Sequence, residues 1–205
     1  MSDFVQEYKA HYAPLILSES SASYIIGNRE SYDKRQYPQW LNPKYKPGHT
    51  PEGQGFGHCM VILKERVFNI VDPDATANEA ALLKEMQAHF IIFWENGGPP
   101  KLLEHVRTAF DDQNNKLVSN DKTDNSRNLV PTLKADFQAL SDDFNRLKPG
   151  DFEFGFHAFP DNSVGHLHMH VFPKKSFLRR FSATQHDWKT IPLEAVLEAE
   201  MEDRE

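Results

Sequence analysis

The chain has a single cysteine, Cys59, among 205 residues. That excludes an internal disulfide and any zinc knuckle built on cysteines. No apolar run comes near the roughly 20 residues that a helix needs to cross a bilayer, so no helical membrane span is expected. Positive charge is in deficit: 23 lysines and arginines stand against 30 aspartates and glutamates, a formal charge of −7. Such a surface favours solubility and argues against broad capture of a polyanion, although a local basic strip remains compatible with it. The opening residues, MSDFVQEYKAHYAP, lack the basic segment and apolar stretch of a secretory signal. A reducing compartment, cytoplasmic or nuclear, is the expected location. No internal repeat shows itself.

What is present fits one domain spanning 1–205, near the upper end of common domain size. The Gly- and Pro-rich stretch PGHTPEGQGFG, residues 47–57, is a turn or loop. The apolar and β-branched residues from His58 to Leu63 then predict a buried strand. Thr76 and Glu79 have the spacing of a capping box, and Leu82, Leu83, Met86, Phe90, Phe93 and Trp94 recur at helical spacing. Gly97, Gly98, Pro99 and Pro100 end that helix, and KLLEHVRTAF (101–110) predicts a short second one. Residues 111–128 contain two apolar members, Leu117 and Val118. A polar insertion without regular structure is expected over about 111–130, within a core of about 56–192. Leu133, Phe137, Leu140, Phe144 and Leu147 then mark an amphipathic helix closed by Lys148, Pro149 and Gly150.

Two alternating segments follow. In DFEFGFHAFP (151–160), Phe152, Phe154, Phe156 and Ala158 alternate with Glu153, Gly155, His157 and Phe159. After the turn PDNSVG (160–165), HLHMHVF (166–172) alternates again, so the two form a hairpin. On that second strand Leu167, Met169 and Val171 point into a core, and His166, His168 and His170 project together from the other face. Three imidazoles in a row are costly as mere packing, because neutral rings need hydrogen-bond partners and charged rings repel one another. Zinc ligation at about 2.0–2.1 Å, phosphoryl transfer through a nucleophilic imidazole, and a buried histidine network are the three readings open at this point.

At these residues the chain resembles the histidine triad superfamily of nucleotide hydrolases and transferases, whose motif His-φ-His-φ-His-φ-φ, with φ apolar, is matched by residues 166–172. Retention of the third histidine is similar to the hydrolase branches; the uridylyltransferase branch usually has Gln there. GFHAFP (155–160) resembles the segment that precedes the triad in aprataxin-type proteins, which places His157 at that branch's extra active-site histidine. GHCMVILK (57–64) is similar to the strand carrying an upstream histidine, here His58, with Leu63 where Pro is common. QHDWKTIP (185–192) resembles a stretch downstream of the triad and aligns His186 with it. The departures are a longer turn between His157 and His166, and a cysteine content too low for the zinc finger with which aprataxin-type proteins grip DNA.

The resemblance implies an α+β fold of histidine-triad type, an antiparallel sheet with flanking helices. It implies that His168 attacks the α-phosphorus of a nucleotide conjugate and that water hydrolyses the resulting nucleotidyl-imidazole, releasing a nucleoside monophosphate. His166 and His170 would fix the nucleophile and contact phosphoryl oxygens. His157 would protonate the leaving group, with Ser163 as an auxiliary donor. His58 and Lys174 are candidate substrate contacts, and the apolar wall of a base pocket is assigned to SASYIIGN (21–28). No cofactor and no metal is called for. The expected partner is a nucleotide or nucleotide conjugate, handled by a monomer or homodimer. Two alternatives stand beside this: removal of AMP from adenylated DNA 5′ ends, kept open by the basic tract KKSFLRR (174–180), and nucleotide binding without turnover.

Overall fold

Six strands form one open antiparallel sheet in the computed structural model, which describes residues 13–28, 55–64, 67, 79–120, 125–157, 166–175, 178 and 187–202. In chain order they are β1 (Ile16–Glu19), β2 (Ser23–Gly27), β3 (Cys59–Leu63), β4 (Phe152–His157), β5 (His168–Pro173) and β6 (Thr190–Pro192). Their spatial order is β1-β2-β3-β5-β4-β6. The two alternating segments pair as expected, with Phe154 opposite Val171 and Gly155 opposite His170. On its other side β5 pairs with β3, with Met60 opposite His170 and Ile62 opposite His168.

Alternation sorts the sheet into two faces. Ile25, Cys59, Val61, Leu63, Phe154, Phe156, Met169 and Val171 are buried on one of them. Four α-helices supply the rest of that core: α1 (Glu79–Glu95), α2 (Gly98–Asn120), α3 (Asn125–Phe144) and α4 (Leu193–Glu202). Leu83, Met86, Phe90, Phe93 and Trp94 of α1 lie in the same cluster as the strand residues, and Phe90 meets Phe152 edge-on at 4.9 Å between ring centroids. Removing a fully enclosed ring such as Phe90 costs about 3–5 kcal/mol, transfer and cavity together. His89 of α1 is buried between two hydroxyls, Ser23 Oγ at 2.7 Å from Nδ1 and Ser18 Oγ at 3.0 Å from Nε2.

The helical region departs from the expectation drawn from apolar spacing. The second helix runs 23 residues to Asn120 rather than stopping near 110, and α3 begins at Asn125, so most of the supposed structureless polar insertion is helical. The cause is burial: beyond Phe110 most of α2's side chains face solvent, and a helix that buries almost nothing leaves no apolar period to read. Gly98, Pro99 and Pro100 do not merely stop α1; they form the first turn of α2, where a missing N–H costs no helical bond. Gly97, between the helices, has φ +92°, a conformation for which glycine is suited. The α2–α3 pair is held by Phe110 stacked on Phe137 at 4.6 Å. Thr76 and the loop residues 47–54 lie outside the described residues.

Candidate functional site

The opposite face of the sheet carries the histidines. Registers place Ile26, Met60, His170, Gly155 and Pro192 in one row across five strands, with Tyr24, Ile62 and His168 in the row beside it. His58 precedes β3 on the same face, and His157 ends β4. Tyr24, Ile26 and Ile62 are buried there with Leu15, Ile16 and Met60 packed against them, a second apolar cluster separate from the main core. SASYIIGN thus contributes Tyr24 and Ile26 to this face.

Each imidazole is held by a named partner. His168 Nδ1 lies 2.8 Å from the main-chain oxygen of His166. A carbonyl only accepts, so Nδ1 carries the proton and Nε2 keeps its lone pair. Burial pushes the pKa of His168 below the ordinary 6.5, partly opposed by that same hydrogen bond, so the ring is neutral at pH 7. His166 is also buried, and its Nε2 donates to Leu63 O at 2.8 Å, tying the start of β5 to the end of β3.

His170 sits at the centre. Its ring centroid is 4.2 Å from that of His157 and 4.8 Å from that of His168. Its Nδ1 is 3.0 Å from His58 Nε2, with the two ring planes 9° from parallel. His58 Nδ1 in turn lies 3.1 Å from the amide nitrogen of Asn28, just past β2. The pKa of His170 is held well below 6.5, first by burial, then by the neighbouring His58, His168, His157 and Lys189. The Nε2 atom of His170 is buried and has no hydrogen-bond partner among the described residues.

His157 shares a hydrogen bond between Nε2 and Thr190 Oγ1, 3.1 Å, across the β4–β6 pairing. Gly155 makes this possible. A Cβ there would lie 2.5 Å from Thr190 Cγ2 and 3.2 Å from Ile191 O, so any larger residue would push β6 away. The missing side chain opposite His170 also leaves room for the His157 ring to lean over it.

Of the residues singled out in the sequence, the structure therefore brings together His58, His157, His166, His168 and His170. Lys174 is not among them: it is exposed beyond the far end of β5, and its ammonium donates to Gly150 O at 3.1 Å. Ser163 and His186 lie outside the described residues. Three participants carry no signal of their own in the sequence: Asn28, Thr190 and the spacing role of Gly155 come from strand pairing. Among the described residues, no group of three or more His, Cys, Asp or Glu is arranged to hold a metal ion. The His58 and His170 nitrogens that approach each other are engaged in a hydrogen bond.

Chemically, the arrangement offers a neutral imidazole with a lone pair on Nε2, a buried His170 nitrogen without a hydrogen-bond partner among the described residues, and a third ring positioned by a hydroxyl. No protein-family model and no curated protein matches the chain.

Proposed function

We propose that the chain is a histidine-triad-type nucleotide hydrolase or nucleotidyl transferase, which acts on the α-phosphate of a nucleotide conjugate through a nucleotidyl-histidine. The observation that carries this reading is the fixed tautomer of His168. With Nδ1–H bonded to the His166 carbonyl and the ring neutral, the Nε2 lone pair is available as a nucleophile at pH 7. Nε2 attacks the α-phosphorus, the P–N bond forms and the bond to the leaving group breaks, with His157 supplying the leaving group's proton. Water then attacks the same phosphorus and gives a proton back to His157, the P–N bond breaks with its electron pair returning to Nε2, and the nucleoside monophosphate departs.

His170 supports the step from beside it. Its Nε2 is an enclosed polar atom without a partner among the described residues, and leaving such an atom unsatisfied costs about 1–3 kcal/mol. A non-bridging phosphoryl oxygen would satisfy it as charge grows there in the transition state. Tyr24, Ile26 and Ile62 form an apolar cluster on the same face of the sheet, buried under their neighbours, and so back the histidines without lying open to a base. On this reading the sheet and helices form a histidine-triad-type fold, and the partner is a nucleotide conjugate.

The test is release of monophosphate from a panel of adenylated and guanylated conjugates, compared with His168→Ala. Release by the wild type alone supports the reading; equal release by both proteins, or by neither, contradicts it.

A further inference from the structure

The outer end of the imidazole chain is an amide, and the amide decides where protons sit at the inner end. Asn28 Nδ2 faces His58 Nδ1 at 3.1 Å. An amide nitrogen has two protons and no lone pair to offer, so His58 Nδ1 must accept. Neutral His58 therefore carries its proton on Nε2, which donates to His170 Nδ1 at 3.0 Å. His170, accepting at Nδ1, carries its own proton on Nε2. Two tautomers thus follow from one side-chain orientation.

Turning the amide over would leave every heavy atom in place and invert the chain. Asn28 Oδ1 would then demand a proton from His58 Nδ1. His58 Nε2 would accept from His170 Nδ1, and His170 Nε2 would be a lone pair. The atom beside the nucleophilic ring would change from a donor to a repeller of phosphoryl oxygen. The backbone around Asn28 is anchored: its main-chain oxygen accepts from His105 Nε2 of α2 at 2.9 Å, and the adjacent Gly27 packs so closely on the His105 ring that no Cβ fits.

We propose that Asn28 is a positioning residue whose side-chain amide, acting through His58, holds His170 in the tautomer that presents Nε2–H to the transferring phosphoryl group. The proposal rests on the hydrolase reading for the identity of the acceptor; the tautomer itself is independent of turnover.

The experiment is nitrogen-15 histidine NMR at pH 8 on the full chain, for wild type, Asn28→Asp and Asn28→Leu, with kcat and KM measured on the same preparations. In the wild type, His58 and His170 should both carry the proton on Nε2. In Asn28→Asp the carboxylate accepts from His58 Nδ1, so both protons move to Nδ1, and kcat falls on the order of 10²-fold, the loss typical for one donor to a developing oxyanion, with KM little changed. Asn28→Leu removes the bias and should give mixed tautomers in both rings. His168, fixed by the His166 carbonyl, should stay protonated on Nδ1 in all three proteins and so reports that the site is folded. Wild-type His170 with its proton on Nδ1, or the same His170 tautomer in all three proteins, would overturn the proposal. The expected tautomers combined with no nucleotidyl adduct on His168 would instead overturn the hydrolase reading.

Discussion

A histidine can attack phosphorus only while it is neutral, so the environment of His168 would set the acid limit of the proposed reaction. Burial lowers its pKa below 6.5. The acid limb of the kcat/KM profile should therefore be centred below pH 6.5. An acid limb centred at or above 6.5 would contradict the assignment of His168 as the buried nucleophile. His157 is the proposed general acid, and a positioned acid contributes typically 10²–10⁴-fold. His157→Ala should lower kcat by about that factor for conjugates with a basic leaving group, and much less where the leaving group departs without a proton. Thr190→Val, which removes the hydroxyl that holds the ring at 3.1 Å, should give the same pattern more weakly. Equal losses for both kinds of leaving group would remove His157 from the acid's role.

At the scale of elements, the site depends on how closely β6 lies against β4. Gly155→Ala puts a methyl group into the space of Thr190 Cγ2 and against Ile191 O. It should cost about 1–3 kcal/mol, read from the denaturant midpoint, as overpacking does, and should also reproduce part of the Thr190→Val defect by moving β6. Unchanged stability would show that β6 yields freely. The strands that carry the histidines are legible in the sequence, because a period of two with apolar residues between imidazoles permits only one sorting of faces. The hairpin of β4 and β5 follows from the same alternation and the turn between them. The far half of α2 is not legible, because apolar spacing reports burial and its described side chains mostly face solvent. Asn28 and Thr190 are not legible as partners either: neighbours in space across β2–β3 and β4–β6, they stand 30 and 33 residues in sequence from the histidines they hold.

For the whole molecule, three rings link stability to acidity. His89, His168 and His170 all have pKa values lowered by burial. Well above pH 6.5 neither the native nor the unfolded chain protonates them, and they exert no pull. Below 6.5 the unfolded chain takes up protons that the native rings refuse, so the unfolded state binds more and stability falls with pH until the folded values are passed. The thermal midpoint should therefore drop between pH 7 and pH 5, and His89→Gln should flatten part of that slope. A slope that His89→Gln leaves unchanged would mean that the ring between Ser18 and Ser23 accepts a proton without cost.

Cys59 offers a second global probe. Its thiol is fully buried on the core face of β3, and burial pushes its pKa up. Thiolate-directed reagents should leave the native protein unmodified and react only at the rate of unfolding. Rapid modification under native conditions would contradict the packing of the sheet against the helices.

The central claim is that His168 becomes covalently bound to a nucleotide. It is tested most directly by acid-quenched mass spectrometry of the intact protein after brief mixing with adenylated and guanylated conjugates, for wild type and His168→Ala. The expected result is a mass increase of one nucleotide in the wild type and none in the variant. No adduct and no monophosphate with any conjugate, or an adduct that survives in His168→Ala, would contradict it.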